Sequence, residues 1–254
     1  MSDAVRTLSD AMAADGALKL WSVLVTCLGD LSREDAVEVS GTTLSALVER
    51  IGLQPQAMRV ALHRLKRDGW TDSRREGRVG YHRLTENALQ QTRAVGARVY
   101  GPAVTEGRVR LVGLPEDQPD AMALLPEEAS GVLISRRFAL VTGETDIWPD
   151  EWLVARLEPG AFPDWVRTAL QQAACETEFA DFARVLPVEA VPLDPLDRLA
   201  LRVLVLHGWR RLILRSNAAA EIALGANRSE IRCRAIVLAM LDRLSVDAAR
   251  QEAS

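Results

Sequence analysis

The sequence has little of what marks secreted, membrane-spanning or metal-dependent proteins. It has three cysteines, Cys27, Cys175 and Cys233. They are widely separated and lack C-x-x-C spacing, which excludes a disulfide framework and a cysteine zinc site. Cys27 and Cys233 lie in stretches of periodic apolar residues, so buried free thiols in a reducing compartment are expected. The three histidines, His63, His82 and His207, are too few and too scattered for a metal centre. No run of about 18 apolar residues is present, and the N-terminus shows no signal-peptide pattern; a cytoplasmic location is the expectation. There are no paired carboxylates at a clear spacing, no nucleophile motif and no glycine-rich phosphate loop. Catalysis is therefore not expected, nor is any cofactor or metal.

What is present is ordinary in bulk and uneven in detail. A hydrophobic share of 48% with 26% charged residues is typical of a globular chain, and 254 residues suggest two or three compact units. The charge is not spread evenly. From Pro55 to Tyr100 ten Arg and Lys stand against four acids, a net +6, whereas the whole chain is −4 and the remainder therefore −10. One basic segment on an acidic body suits a dedicated nucleic-acid reader attached to something else.

The basic segment has its own pattern. Leu44, Leu47, Val48 and Ile51 fall at i, i+3, i+4 and i+7, which predicts a helix over Thr43–Ile51. Gly52 is placed to stop it, and Pro55 suits the first turn of the next helix, where its missing N–H costs nothing. On that second helix Met58, Ala61, Leu62 and Leu65 share one side. Gln56, Arg59, His63 and Arg67 share the other, with Val60 beside them and Arg64 and Lys66 flanking. Glutamine and arginine match adenine and guanine edges in the major groove. After Gly69-Trp70 comes a predicted hairpin over Thr71–Leu84, its turn at Glu76-Gly77, with Arg74, Arg75, Arg78 and Arg83 around that turn. Arginines so placed suit phosphate or minor-groove contact. Helix, turn, helix and basic hairpin is the order of a winged helix-turn-helix.

The rest of the chain reads more coarsely. Leu18–Leu31 is an expected helix upstream of the reader, and Ser32–Gly41 a polar loop. Thr85 is placed to cap a linker helix over Glu86–Val99. Short β-rich runs at Val109–Gly113, Gly131–Ser135, Arg137–Thr142 and Glu151–Leu157 alternate with expected helices at Asp117–Leu125 and Asp164–Ala174, which suggests a small α+β sandwich. Leu196–Leu206 and Ile231–Leu244 are expected helices, with Gly208 breaking the first. The resulting division is a winged helix-turn-helix with its linker helix over 1–100, a ferredoxin-like α+β domain over 101–190 and a helical C-terminal domain over 191–254.

The runs RVALHRLKRDGW and GRVGYHRLT resemble the signature of PaaX-type transcriptional regulators. In that family a recognition helix of pattern R-x-A-L-x-R-L leads to G-W and a basic wing ending in Y-x-L-T. The matching positions are Arg59, Ala61, Leu62, Arg64, Leu65, Gly69, Trp70, Tyr81, Leu84 and Thr85, with one extra residue between Tyr81 and Leu84. HGWRRLILR is similar to the family's closing domain, although Ser216, Asn217 and three alanines stand where a D-P-x-L-P run is usual. The resemblance implies the same three-part α+β architecture and a homodimer on double-stranded operator DNA. It also implies repression of phenylacetic acid breakdown genes, relieved by phenylacetyl-CoA. An acyl-CoA effector needs arginines, flat rings and an apolar pocket. Arg136, Arg137, Arg210, Arg211 and Arg215, with Trp152 and Trp209, are the candidates. The alternative class is a metal-dependent nuclease acting through the middle domain, where Asp146 and Asp150 lie near a strand start.

Overall fold

The computed structural model describes residues 1–115, 125, 129–143, 148–158 and 162–245. The chain divides into two compact units, each assembled from separated segments. One holds residues 1–101, 184–211 and 235–254, the other 102–183 and 212–234.

The first unit begins with α1 (Asp3–Ala14), capped by the Ser2 side chain, which accepts from the Val5 N–H. Next come α2 (Leu20–Leu31), the two-residue strand β1 (Val39–Ser40) and α3 (Gly41–Arg50). Ser40 caps α3 by accepting from the Thr43 N–H at 3.0 Å, so the helix starts at Gly41, two residues before the expected Thr43. The helix expected to read bases is α4 (Pro55–Arg67). Both α3 and α4 stop in the same way. Gly52 and Gly69 adopt φ of +76° and +75°. Their N–H groups reach back to Glu49 and Lys66, and those of Leu53 and Trp70 to Val48 and Leu65. This paired closure satisfies the last carbonyls and needs a left-handed residue, which glycine supplies without a Cβ clash.

The hairpin follows as β2 (Thr71–Glu76) and β3 (Val79–Leu84). Glu76 pairs with Val79 across a two-residue turn, with Gly77 at φ +58°. β1 joins the other edge of β3, giving the order β1-β3-β2. A strand of two residues leaves no alternation to read, so the expected polar loop contains a strand. Thr85 caps α5 (Glu86–Ala94), accepting from the Ala88 N–H at 3.2 Å and donating to the Gly69 carbonyl at 2.7 Å. The expected linker helix is two helices, α5 and the short α6 (Gly96–Tyr100).

The second unit is built on a four-stranded antiparallel sheet of β4 (Val109–Gly113), β5 (Ser130–Leu133), β6 (Phe138–Thr142) and β7 (Leu153–Leu157), in the order β5-β6-β4-β7. Counted along the unit that is 2-3-1-4, the strand order of a ferredoxin-like sheet. One face packs Val109, Val132 and Leu140 against α7 (Asp164–Ala173). The other buries Val112, Ala139, Val141 and Trp152. The expected helix over Asp117–Leu125 lies outside the described residues, Leu125 excepted. α8 (Glu176–Val185) then follows.

The chain ends in α9 (Pro195–Ile213), α10 (Ala218–Leu224) and α11 (Ser229–Arg243). Here one expectation is corrected: Gly208 does not break a helix, because α9 runs through it. Glycine inside a helix costs about 1 kcal/mol, a small loss beside the burial of every residue from Leu201 to Trp209. Trp209 is fully buried and donates its indole N–H to the Val99 carbonyl at 2.8 Å. Asp30 on α2 takes two bonds from buried Arg202 of α9, at 2.5 and 3.0 Å, and one from the Tyr100 hydroxyl at 3.0 Å. Cys27 and Cys233 are buried, and burial pushes both thiols up to about 12, so neither offers a thiolate for chemistry. Among the described residues, no helix is long and apolar enough to cross a membrane.

Candidate nucleic-acid interface

Helix α4 separates its two faces cleanly. Met58, Leu62 and Leu65 are buried, and Gln56, Arg59, His63, Arg64, Lys66 and Arg67 are exposed. Val60 is 72% exposed, an apolar side chain standing among the polar ones on the outer face. Between this face, the start of α3 and the hairpin lies a cleft of about 750 Å³. Gln56, Arg59, His63 and Lys66 of α4 line it, with Arg78 from the hairpin turn. Five of the eleven residues expected at a DNA surface are thus brought together. The ionisable side chains lining the cleft are Arg59, His63, Lys66, Arg78 and His82, all basic.

The other six do not line it, and Arg74 and Arg83 alternate with the cleft-lining Ser73 and His82 on the hairpin. Arg64 and Arg67 each reach Asp68 in exposed ion pairs at 3.5 and 3.0 Å. Such pairs contribute between about 0 and 1 kcal/mol and are easily exchanged for a phosphate. Arg74 is held by Glu38 and Glu76 and lies over the Tyr81 ring at 4.5 Å. Hydrogen bonds to Glu76 and then Glu38 raise its already high pKa. Arg75 donates to the Gly77 carbonyl at 3.2 Å, and Arg83 is exposed on β3.

Thr42, Ser45 and Ser73, which are not among the residues expected at this surface, also line the cleft, as does His82, which from sequence alone is either a phosphate contact or an exposed bystander. Thr42 and Ser45 come with the N-terminus of α3, and the capping serine three residues before Thr43 is the signal that places them there. Ser73 and His82 face each other across the hairpin, with His82 Nδ1 and Ser73 Oγ 2.9 Å apart. Strand alternation from Tyr81 is the only trace of that pair in the sequence.

The residues named for an effector are divided between the two units. Arg136, Arg137, Trp152 and Arg215 belong to the second unit, while Trp209, Arg210 and Arg211 belong to the first. Arg136 is exposed, Arg137 donates to the Leu114 carbonyl at 3.2 Å, and Trp152 is buried with its ring 6.2 Å from that of Trp148. Arg215 is paired with Glu178 at 2.8 Å and Arg211 with Asp15 at 3.0 Å. Arg210 is partly buried, and Trp209 has no surface open to solvent. Of the two aspartates of the nuclease alternative, Asp146 lies outside the described residues and Asp150 is exposed.

Comparison with known proteins falls on the same segments. Residues 19–88 match the family described as PaaX-like protein, and residues 110–153 match the PaaX-like, ferredoxin-like domain. The transcriptional repressor PaaX of Escherichia coli (strain K12) is 32% identical over 79 residues, 31% of this chain and 25% of that protein. The chain thus spans about a quarter of the length of that curated relative. All residues lining the cleft fall within the first matched segment. The chain is α+β and, over residues 19–88 and 110–153, PaaX-like.

Proposed function

We propose that this chain is a sequence-specific, DNA-binding transcriptional repressor. One observation carries the reading: a cleft whose charged lining is wholly basic lies between an exposed helix face and an arginine-bearing hairpin, inside a segment similar to a known repressor family. On this reading α4 enters the major groove as the second helix of a winged helix-turn-helix. Gln56 is suited to an adenine edge, Arg59 to a guanine and Val60 to a thymine methyl. Arg64, Lys66, Arg67 and the hairpin arginines Arg74, Arg75, Arg78 and Arg83 take the phosphates.

The same proposal extends to a homodimer in the cytoplasm that leaves its operator when an acyl-CoA such as phenylacetyl-CoA binds. Its support is the resemblance to PaaX-type regulators. A thioester of that kind shifts operator occupancy only if it favours one arrangement of the dimer over another by a few kcal/mol. Titration of a labelled fragment of the DNA upstream of the coding sequence, with and without phenylacetyl-CoA, tests both parts. The expected result is binding that resists unrelated competitor DNA and is released by the thioester. Specific binding indifferent to the thioester overturns the effector, and loss of all specific binding at moderate salt overturns the repressor.

A further inference from the structure

His82 sits where the three walls of the cleft meet. Its Nδ1 edge is held by Ser73 of β2. Its Nε2 edge faces the backbone of Gly41 at the start of α3 and of Gly80 on its own strand, 3.5 and 3.7 Å from where a Cβ on either glycine would sit. The ring is half-buried, and β1 covers its backbone through the Val39 pairing. Every ionisable group that shares the cleft with it is basic: Arg59, His63 and Lys66 from α4, and Arg78 from the hairpin turn. The N-terminal end of α3 adds a partial positive charge on the Nε2 side. The acids near it in the chain point elsewhere. Glu38 and Glu76 are engaged by Arg74, and Asp72 precedes Ser73 on a strand whose alternate residues face opposite sides.

We propose that a DNA phosphate entering this cleft draws a proton onto the His82 ring, so that duplex binding takes up a proton and strengthens as the pH falls. The inference rests on the reading of the cleft as a DNA interface and adds a regulation to it. In the free protein a positive charge on this ring meets only basic neighbours and loses hydration, which favours the neutral ring. Burial first, and Lys66 second, hold the His82 pKa below the ordinary histidine value. A phosphate reverses both effects by neutralising the surrounding cations and offering an acceptor for a charge-assisted bond. The Ser73 hydroxyl does not obstruct the change, because it can donate to the neutral ring or accept from the protonated one. A depressed pKa that rises on binding means the bound state holds more protons, so affinity gains at most about tenfold per pH unit as the pH drops between the two pKa values.

The test is calorimetry of the whole chain with a mixed-sequence duplex at low salt. It uses two buffers of different ionisation heat at about pH 6.5, with affinities measured from about pH 7.5 to about pH 6. The expected result is proton uptake and rising affinity in the native chain, and loss of both in His82→Gln. Melting curves verify that His82→Gln is folded, and His82→Asn serves as the second neutral replacement. Binding without proton uptake, or uptake unchanged in both His82 variants, overturns the inference and leaves the DNA interface standing. Failure to bind duplex at all overturns the interface and the inference with it.

Discussion

Arg202 and Arg59 are both helical arginines of the first compact unit, and their surroundings are opposites. Arg202 is buried, donates twice to Asp30 and spends another nitrogen on the carbonyls of Leu241 and Leu244. Arg59 stands exposed on α4 and lines an open cleft. The first has its donors consumed inside the fold, so its charge serves the arrangement of α2, α9 and the end of α11. The second keeps its planar donor fork accessible, so its charge is available to a ligand. The second unit repeats the buried case with Arg228 and Arg234, both bonded to buried Glu230. Counting arginines along a sequence therefore overstates the binding surface, and burial with partners separates the two classes.

The comparison predicts unequal costs. Asp30→Ala strands the Arg202 guanidinium in the interior and removes the partner of the Tyr100 hydroxyl. Breaking one side of a buried pair typically costs about 3–5 kcal/mol, so urea denaturation should show a loss of that order. A loss no greater than that of a surface pair would break the distinction between the two arginine classes. Thr85→Ala tests a smaller, half-buried case. Its hydroxyl caps α5 and ties the end of α4 to it, and losing such a cap costs about 1 kcal/mol. Thermal unfolding should show that loss in the alanine variant and recovery in Thr85→Ser.

The two arginine classes also differ in how far the sequence reveals them. The reader helix, its partner helix and the hairpin are legible because three independent signals agree there: an apolar stripe at helical spacing, glycines at both helix ends and charge crowded around a turn. The four strands of the second unit are legible from their β-branched runs. Elsewhere local rules lose to packing. Gly208 suggests a break, but α9 is buried on all sides around it and the core outweighs the propensity. Val5, Leu8 and Met12 with the Ser2 cap mark α1, a signal present but short. The Asp30–Arg202 pair joins residues 172 positions apart, and such a contact depends on topology that no window of sequence contains.

The central claim is that α4 reads bases while the hairpin grips the backbone. The direct measurement is the affinity of Arg59→Ala and Arg75→Ala for a panel of operator duplexes, each changed at one base pair, across a range of salt. Arg59→Ala should lose about 1–3 kcal/mol and become indifferent to the base at one position. Arg75→Ala should weaken every duplex alike and lower the salt slope by about one. Uniform loss across the panel in both variants would contradict the assignment of α4 as the reader.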